Sequence, residues 1–438
     1  MTTLPSEPAP IIPGTTQTAK YQHQLLSHRF IRVLRLHPAP RSESQLRCSL
    51  VPVSLDEKPK YWALSYTWGT DGPSIPIFCV DGPTIALLRI TPNCASALKH
   101  LRDDKEERTL WVDGICIDQT SLEERSTQVA LMGEIYRNTD RVVVWLGESD
   151  STTEKAFNLL KQIGDFLPPE ADRLDRQQAV DLITRQNALQ QVHSNARVLT
   201  KDIAADKDDF INPLFEGPWF HRMWTAQEVT LPPALKVDIF FGHFTIGWLT
   251  VWKTTDILAA ISYKDTVMGP AMRLLRYISQ AMTILLVPGV REFMKNITDR
   301  KLGMELSLLM ILCRPKLATD PKDKAYALYG LLQVLGVELP EPDYKKPLAD
   351  IFTEITTAAI KHDNDTWMLC FAASDKKNPD LPSWVPDWSD KGWDNDDLRQ
   401  PPDRKKFATT GDSKAEWAFT SNPREIILRG KLFDSVAM

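Results

Sequence analysis

The hydrophobic positions of this chain change period along its length, and each change marks an element. Arg29–Leu36 (RFIRVLRL) alternates basic and apolar residues, which predicts a strand with a solvated arginine face. Tyr61–Trp68 (YWALSYTW) predicts an aromatic-rich strand stopped at Gly69 and the Asp71-Gly72-Pro73 turn. Ile75–Val80 predicts a short strand before a second turn, Asp81-Gly82-Pro83. Thr91–Leu101 shifts to helical spacing, with Pro92 in the first turn, where its missing N–H does no harm. Leu110–Gln119 (LWVDGICIDQ) reads as the end of a buried strand, with Val112, Ile115 and Ile117 as its β-branched positions. Ser121 and Glu124 have the spacing of a capping box, and Val129, Met132 and Tyr136 line one face of the helix that follows. Arg141–Gly147 (RVVVWLG) is apolar without alternation, as in a strand covered on both faces. Strand, helix and strand over this length make a βαβ unit, which implies a parallel sheet.

A further helix is predicted from about Thr153 to Phe166, ended by Pro168-Pro169. The polar, Gln-rich stretch over about 172–210 reads as a helical insertion, and Pro218–Val229 (PWFHRMWTAQEV) as one compact amphipathic helix. Lys236–Trp248 predicts two strands around the Gly242-His243 turn. Beyond about residue 255 the pattern becomes helical, in Leu302–Leu312, Lys324–Leu332 and Pro347–Lys361. Leu381–Trp388 (LPSWVPDW) predicts a Trp/Pro loop packed on the core, and Glu425–Leu428 is strand-like. The expected organisation is a disordered arm over 1–20, an α/β domain over 21–255, and a mainly helical region over 256–438 packed on it.

Composition narrows the function classes. The 438 residues are 43% hydrophobic and 25% charged, ordinary for a globular chain, with a net charge of −5. No basic stripe is visible, so nucleic acid is not an expected partner. The six cysteines are irregularly spaced without a C-x-x-C pair, which predicts reduced thiols and neither a disulfide framework nor a zinc knuckle. The N-terminal MTTLPSEPAPIIPGTTQT lacks the basic and apolar regions of a secretory signal. Ile278–Val290, interrupted by Gln280, Thr283 and Pro288, is too short to span a bilayer.

Polar chemistry gathers at the end of the Leu110 strand, the place where open α/β sheets bind ligands. Asp113 there either caps a backbone amide or lines a pocket. Asp118 and Gln119 either shape the turn before Ser121 or hydrogen-bond a ligand. Cys116, with no His close in sequence, reads as a small buried hydrophobe. His221 and His243 read as helix-surface and turn residues, and Trp62, Trp111, Trp145 and Trp219 as core. Asp113 and Asp118 fall on opposite faces of a strand and no His cluster joins them, so no metal is expected. No glycine-rich phosphate loop is present.

Four segments together resemble the fungal heterokaryon-incompatibility (HET) domain: ALSYTWG (Ala63–Gly69), LWVDGICIDQ with downstream Glu124, Gln128 and Met132, VVVWLG (Val142–Gly147), and PWFHRMWTAQEV. ATDPKDKAYALYGLL and LPSWVPDWS resemble the tail that often follows that domain, so the resemblance runs in order over roughly 25–390. Gly114 stands where the family often has alanine, a departure read as harmless. The resemblance implies a cytoplasmic fungal protein, in a family some of whose members trigger death when genetically different hyphae fuse. The family is thought to be distantly related to Toll/interleukin-receptor (TIR) domains, which implies an α/β fold with a flavodoxin-like parallel sheet core.

TIR domains that hydrolyse NAD carry an aromatic residue, three intervening positions and then the catalytic glutamate, and Trp224 and Glu228 match that spacing. The resemblance thus makes Glu228 the candidate catalytic residue, stabilising an oxocarbenium-like state as nicotinamide leaves. Tyr66 and Trp68 are candidates to stack on a ring, and Asp118 and Gln119 to bond ribose hydroxyls. Asp113 and Trp224 complete the candidate substrate site, and Arg222 or helix N-terminal amides would have to meet the phosphates. NAD enters as substrate; no cofactor is expected. Against this stands a plain structural role, with Glu228 paired to Arg222 on a helix surface. A non-enzymatic signalling module, acting through self-association or partner binding, is the alternative function; the 13 tryptophans and the missing phosphate loop motivate it. A biosynthetic enzyme on the same scaffold is neither supported nor excluded.

Overall fold

The computed structural model describes residues 19–40, 45–165, 212–260, 306–372, 378–390 and 416–429. Nine strands form one mixed sheet: β1 (Phe30–Leu36), β2 (Leu46–Ser54), β3 (Trp62–Tyr66), β4 (Ile75–Asp81), β5 (Thr84–Ile90), β6 (Arg108–Trp111), β7 (Arg141–Trp145), β8 (Val237–Phe241) and β9 (Phe244–Gly247). Their order across the sheet is β5-β4-β2-β1-β6-β3-β7-β8-β9. β6, β3, β7 and β8 run parallel, and Leu110, Trp111, Ala63, Leu64 and Val142–Trp145 are wholly buried there. This is the burial expected of strands covered on both faces. Taken alone, these four strands have the chain order 2-1-3-4, which reverses between β3 and β7. The antiparallel hairpins β4–β5 and β8–β9 close the two edges, and β1 joins β2 to β6 by antiparallel pairing.

The helices are α1 (Pro92–Leu101), α2 (Asp113–Cys116), α3 (Leu122–Asn138), α4 (Ser151–Asp165), α5 (Asn212–Phe215), α6 (Pro218–His221), α7 (Thr225–Glu228), α8 (Trp248–Ala260), α9 (Leu306–Cys313), α10 (Asp323–Tyr326), α11 (Tyr329–Val334) and α12 (Leu348–Asp363). A small hairpin, β10 (Trp417–Phe419) with β11 (Ile426–Leu428), lies apart from the main sheet. One hydrophobic core runs from Ile31 on β1 to Val385 and Trp388 in the Trp/Pro loop. The helices after residue 306 therefore pack into the same interior as the sheet. At the join of α3 and α11 two backbones meet directly: a Cβ added at Gly133 would lie 2.6 Å from the Gly330 Cα. Among the described residues no helix is long and apolar enough to cross a membrane.

Most predicted elements are present, and the departures have physical causes. The arginine face of β1 is not solvated throughout. Arg32 is buried and forms an ion pair with Glu124, and its guanidinium also donates to the Cys116 carbonyl at 3.0 Å and to the Gln24 carbonyl. The capping box is half formed for the same reason. Ser121 accepts from the Glu124 amide at 3.2 Å, but the Glu124 carboxylate is taken by Arg32 and by the Asp118 amide at 2.7 Å. The strand at Leu110 stops at Trp111, and Asp113–Cys116 turns into α2. Pro218–Val229 is two single helical turns, α6 and α7, broken at Arg222–Trp224. Lys324–Leu332 likewise divides into α10 and α11. β5 was not foreseen; it is the return strand after Gly82, which takes φ +55° in the turn. The insertion over about 172–210 and the segment Ile278–Val290 lie outside the described residues, as does the arm up to residue 18. Ala19–Tyr21 pairs with the β5 edge through Tyr21 N to Leu87 O and Leu87 N to Ala19 O, both 2.8 Å.

Candidate functional site

The site grows from the C-terminal end of β3. Ser65 is the one aliphatic hydroxyl in β3, between the buried Leu64 and Tyr66. It donates to the Glu228 carboxylate and accepts from the Trp219 indole at 2.7 Å. The next residue, Tyr66, gives its carbonyl to the Arg222 guanidinium, which lies 3.8 Å from the Glu228 carboxylate. Ser65, Tyr66, Trp219, Arg222 and Glu228 thus close into one cluster, with Glu228 only 1% exposed.

The break between α6 and α7 makes this geometry, and a distant segment holds the break open. The Met223 amide donates to Leu317 O at 2.8 Å, and the Leu317 amide returns to His221 O at 2.6 Å. The buried Lys316 ammonium donates to the carbonyls of Phe220 (2.9 Å) and Arg222 (3.2 Å) and to the Thr225 hydroxyl (3.0 Å). With its carbonyls drawn sideways, the chain cannot run a continuous helical ladder through Arg222.

The electrostatics follow from enclosure. Burial pushes the Glu228 carboxyl above its ordinary range, and the Arg222 charge and the Ser65 bond only partly offset it. Burial likewise raises Asp113 and lowers Lys316 to about 7. Arg222 loses by desolvation, yet Glu228 and Asp113 together keep its pKa raised. Cys116 is buried, its thiol is pushed up to about 12, and its sulfur accepts from the Val112 amide, so it is inert at neutral pH. All six cysteines are free thiols. Among the described residues no group of three or more His, Cys, Asp or Glu is arranged to hold a metal.

A pocket of about 840 Å³ opens on the side-chain face of Tyr66. Tyr66, Trp68, Asp118 and Gln119, all named from the sequence, line it together. Lys20, Tyr21, His23 and Arg89, which sequence reasoning missed, line it from the N-terminal segment and β5. Asp118 and Gln119 also serve the turn. Asp118 accepts from the Thr120 amide (3.0 Å) and hydroxyl (2.6 Å), and Gln119 donates to Asp113 O at 2.9 Å. Asp113 bridges pocket and cluster: it accepts from the Trp68 indole at 3.1 Å and from the Gly114 amide at 2.6 Å, and it bears on Arg222 electrostatically. Glu228 and Arg222 do not line the pocket. Trp224 stands outside both, its indole donating to Asp323 at 3.1 Å. The shared helix face expected of Trp224 and Glu228 is therefore not what joins them, because Trp224 precedes α7 and its ring engages α10 instead. Gly114 is not a neutral position either, since an added Cβ would lie 2.6 Å from the Tyr66 hydroxyl.

Sequence reasoning also missed Ser65, whose available signal was a small hydroxyl inside a buried strand. Lys316 carried no such signal, because its partners lie more than 90 positions away.

Residues 61–228 match the family model described as Heterokaryon incompatibility protein (HET), a span that begins just before β3 and ends on Glu228. The chain is also similar to "Heterokaryon incompatibility protein 6, OR allele" of Neurospora crassa, with 29% identity over 402 residues. That alignment covers 82% of this chain and 58% of the relative, so this chain spans less than two thirds of that protein's length. No solved structure matches. From β3 to the end of α7, over residues 61–228, the chain carries a heterokaryon-incompatibility domain.

Proposed function

We propose that this protein acts in fungal heterokaryon incompatibility, as a component of self/non-self recognition leading to regulated cell death. We further propose that it does so by hydrolysing the nicotinamide–ribose bond of NAD, with Glu228 as the working carboxylate. The observation that carries this reading is the Glu228–Arg222 pair, enclosed at the C-terminal end of the central strand β3 beside Ser65. Burying two charges is expensive, and apolar residues would serve packing at least as well. Ionisable groups displaced from their ordinary ranges gather at functional sites. The 2-1-3-4 order of the parallel strands supports a flavodoxin-like, TIR-like core, and the cluster lies beside the point of reversal, where such sheets take their ligands.

The chemistry asks little beyond a carboxylate. As the C–N bond breaks, nicotinamide leaves as a neutral base with the bonding electrons, and positive charge develops on the ribose. A carboxylate beside that sugar stabilises the charge, and water then supplies the new C–O bond and releases a proton. Glu228 is 1% exposed and does not line the pocket, so a substrate reaches it only after this end of β3 rearranges. That enclosure also favours a second reading, in which the Arg222–Glu228 pair is a structural clasp in a non-enzymatic interaction module.

Expression of the full chain in a fungal host separates the two. Growth arrest with a fall in cellular NAD, lost in Glu228→Gln at equal levels of folded protein, is the expected result. Arrest that persists undiminished in Glu228→Gln overturns the enzymatic reading and favours the module.

A further inference from the structure

We infer that the pocket beside Tyr66 is a nucleoside-diphosphate site, with Lys20 and Arg89 at the phosphates, Trp68 against the base, and Asp118 on the ribose hydroxyls. This rests on the reading above for the identity of the substrate, whose ADP-ribose half it anchors, and it supplies the phosphate recognition that no glycine-rich loop provides.

Three observations point to this ligand class. First, the cations are unclaimed by acids. Among the described residues neither Lys20 nor Arg89 takes part in an ion pair, although the chain carries a net charge of −5. Arg89 donates once, to Ser74 O at 2.6 Å, and the rest of its planar fork remains for an anion. Second, the two cations converge. Lys20 pairs with Leu87 on the edge of β5, and Leu87 and Arg89 share a strand face because side chains alternate. Lys20 and Arg89 are thus diagonal neighbours across two adjacent strands, a spacing that long side chains bridge. Third, the remaining lining suits a nucleoside. Trp68 is 40% exposed, offering a large ring face to a base. Asp118 is the single acid in the lining. Partial burial opposes its charge, but the two bonds from Thr120 hold its carboxyl below the ordinary range. Both bonds fall on one oxygen, Oδ1, so Oδ2 remains to accept from a sugar hydroxyl. A volume of about 840 Å³ admits a ligand of nucleotide size.

The test uses the full chain, with calorimetric titration of ADP-ribose, ADP, adenosine and pyrophosphate. ADP-ribose and ADP are expected to bind, and Lys20→Gln/Arg89→Gln to weaken both at least 10-fold while leaving adenosine unchanged. Trp68→Ala is expected to weaken adenosine and ADP alike. Both sites are at the surface, so these variants leave the core untouched. ADP binding that ignores the Lys20→Gln/Arg89→Gln change overturns the inference. So does pyrophosphate binding as tightly as ADP, which would mean an anion patch without base recognition, or no binding of ADP at millimolar concentration. Glu228 lies outside the pocket, so Glu228→Gln is expected to keep its affinity for ADP, which lacks the ribose that Glu228 would face. Binding without NAD cleavage would sink the hydrolase reading and leave this site standing. Cleavage with ADP affinity indifferent to Lys20 and Arg89 would do the reverse.

Discussion

The Arg222 guanidinium lies 3.8 Å from the Glu228 carboxylate, and the two side chains bond to consecutive residues of β3, Tyr66 and Ser65. Each charge is the other's main compensation, with the Glu228 carboxylate buried and the Arg222 guanidinium largely so. Removing one leaves the other buried and unpaired, which costs about 3–5 kcal/mol. Arg222→Met is expected to lower the unfolding free energy in urea by that order. Arg222→Met/Glu228→Met is expected to lose clearly less than the two single changes summed. Additive losses would mean that the pair is not coupled.

Lys316 gives a pH signature. Burial holds its amine down to about 7 in the folded protein, well below the 10.5 of an exposed lysine. Between those values the unfolded chain binds a proton that the folded one has released, so this group makes stability rise with pH from about 7 to 10.5. The same contribution is lost as pH falls toward 7. Lys316→Met is expected to flatten the rise, measured as unfolding free energy at three pH values across that window. It is also expected to loosen the Arg222 turn, whose carbonyls Lys316 holds.

Asp323 acts with the opposite sign. Burial lifts its carboxyl to about 6, against the pull of hydrogen bonds from Tyr344 and Trp224. Between about pH 4 and 6 the folded protein keeps a proton that the unfolded chain has lost, so stability falls as pH rises through that interval. Asp323→Asn removes this slope, and thermal unfolding at pH 4.5 and 6.5 checks it. A difference between the two pH values as large in the variant as in the parent would refute the assignment.

Gly114 bounds how tightly Tyr66 is held. An added methyl would lie 2.6 Å from the Tyr66 hydroxyl. Overpacking of this kind costs about 1–3 kcal/mol. Gly114→Ala is expected to destabilise the protein within that range, and Tyr66→Phe in the same chain to recover most of the loss. No recovery would mean that the backbone of α2, and not the phenol, absorbs the strain.

The sequence was legible where hydrogen bonds are local or burial is uniform. Thr91-Pro92 opens α1 with the Thr91 hydroxyl accepting from Cys94, β7 is apolar on both faces from Val142 to Trp145, and Gly242 turns β8 into β9. It failed where a distant partner decides. The alternation of Arg29–Leu36 identifies a strand but not that Arg32 meets Glu124 on α3, so the solvated face was misjudged. PWFHRMWTAQEV has helical spacing throughout, yet Leu317 and Lys316 split it into two turns. The Trp224–Glu228 spacing drew attention to an acid that does sit in the buried cluster, but for a reason the geometry does not use, because Trp224 turns to Asp323. Tyr66, Trp68, Asp118 and Gln119 do meet in one pocket, as their position at strand ends suggested. Lys20 and Arg89 were invisible, since only the pairing of the N-terminal segment with β5 brings them together.

The most direct test of the account is nicotinamide release from NAD by the purified full chain, compared with Glu228→Gln at matched folded fraction and across a range of protein concentrations, since TIR-type activity often needs oligomerisation. Turnover in the parent that drops at least 100-fold in Glu228→Gln, with ADP affinity unchanged, is the expected result. Equal turnover in both proteins, or none in the parent at any concentration, would contradict it and leave the buried pair as a clasp.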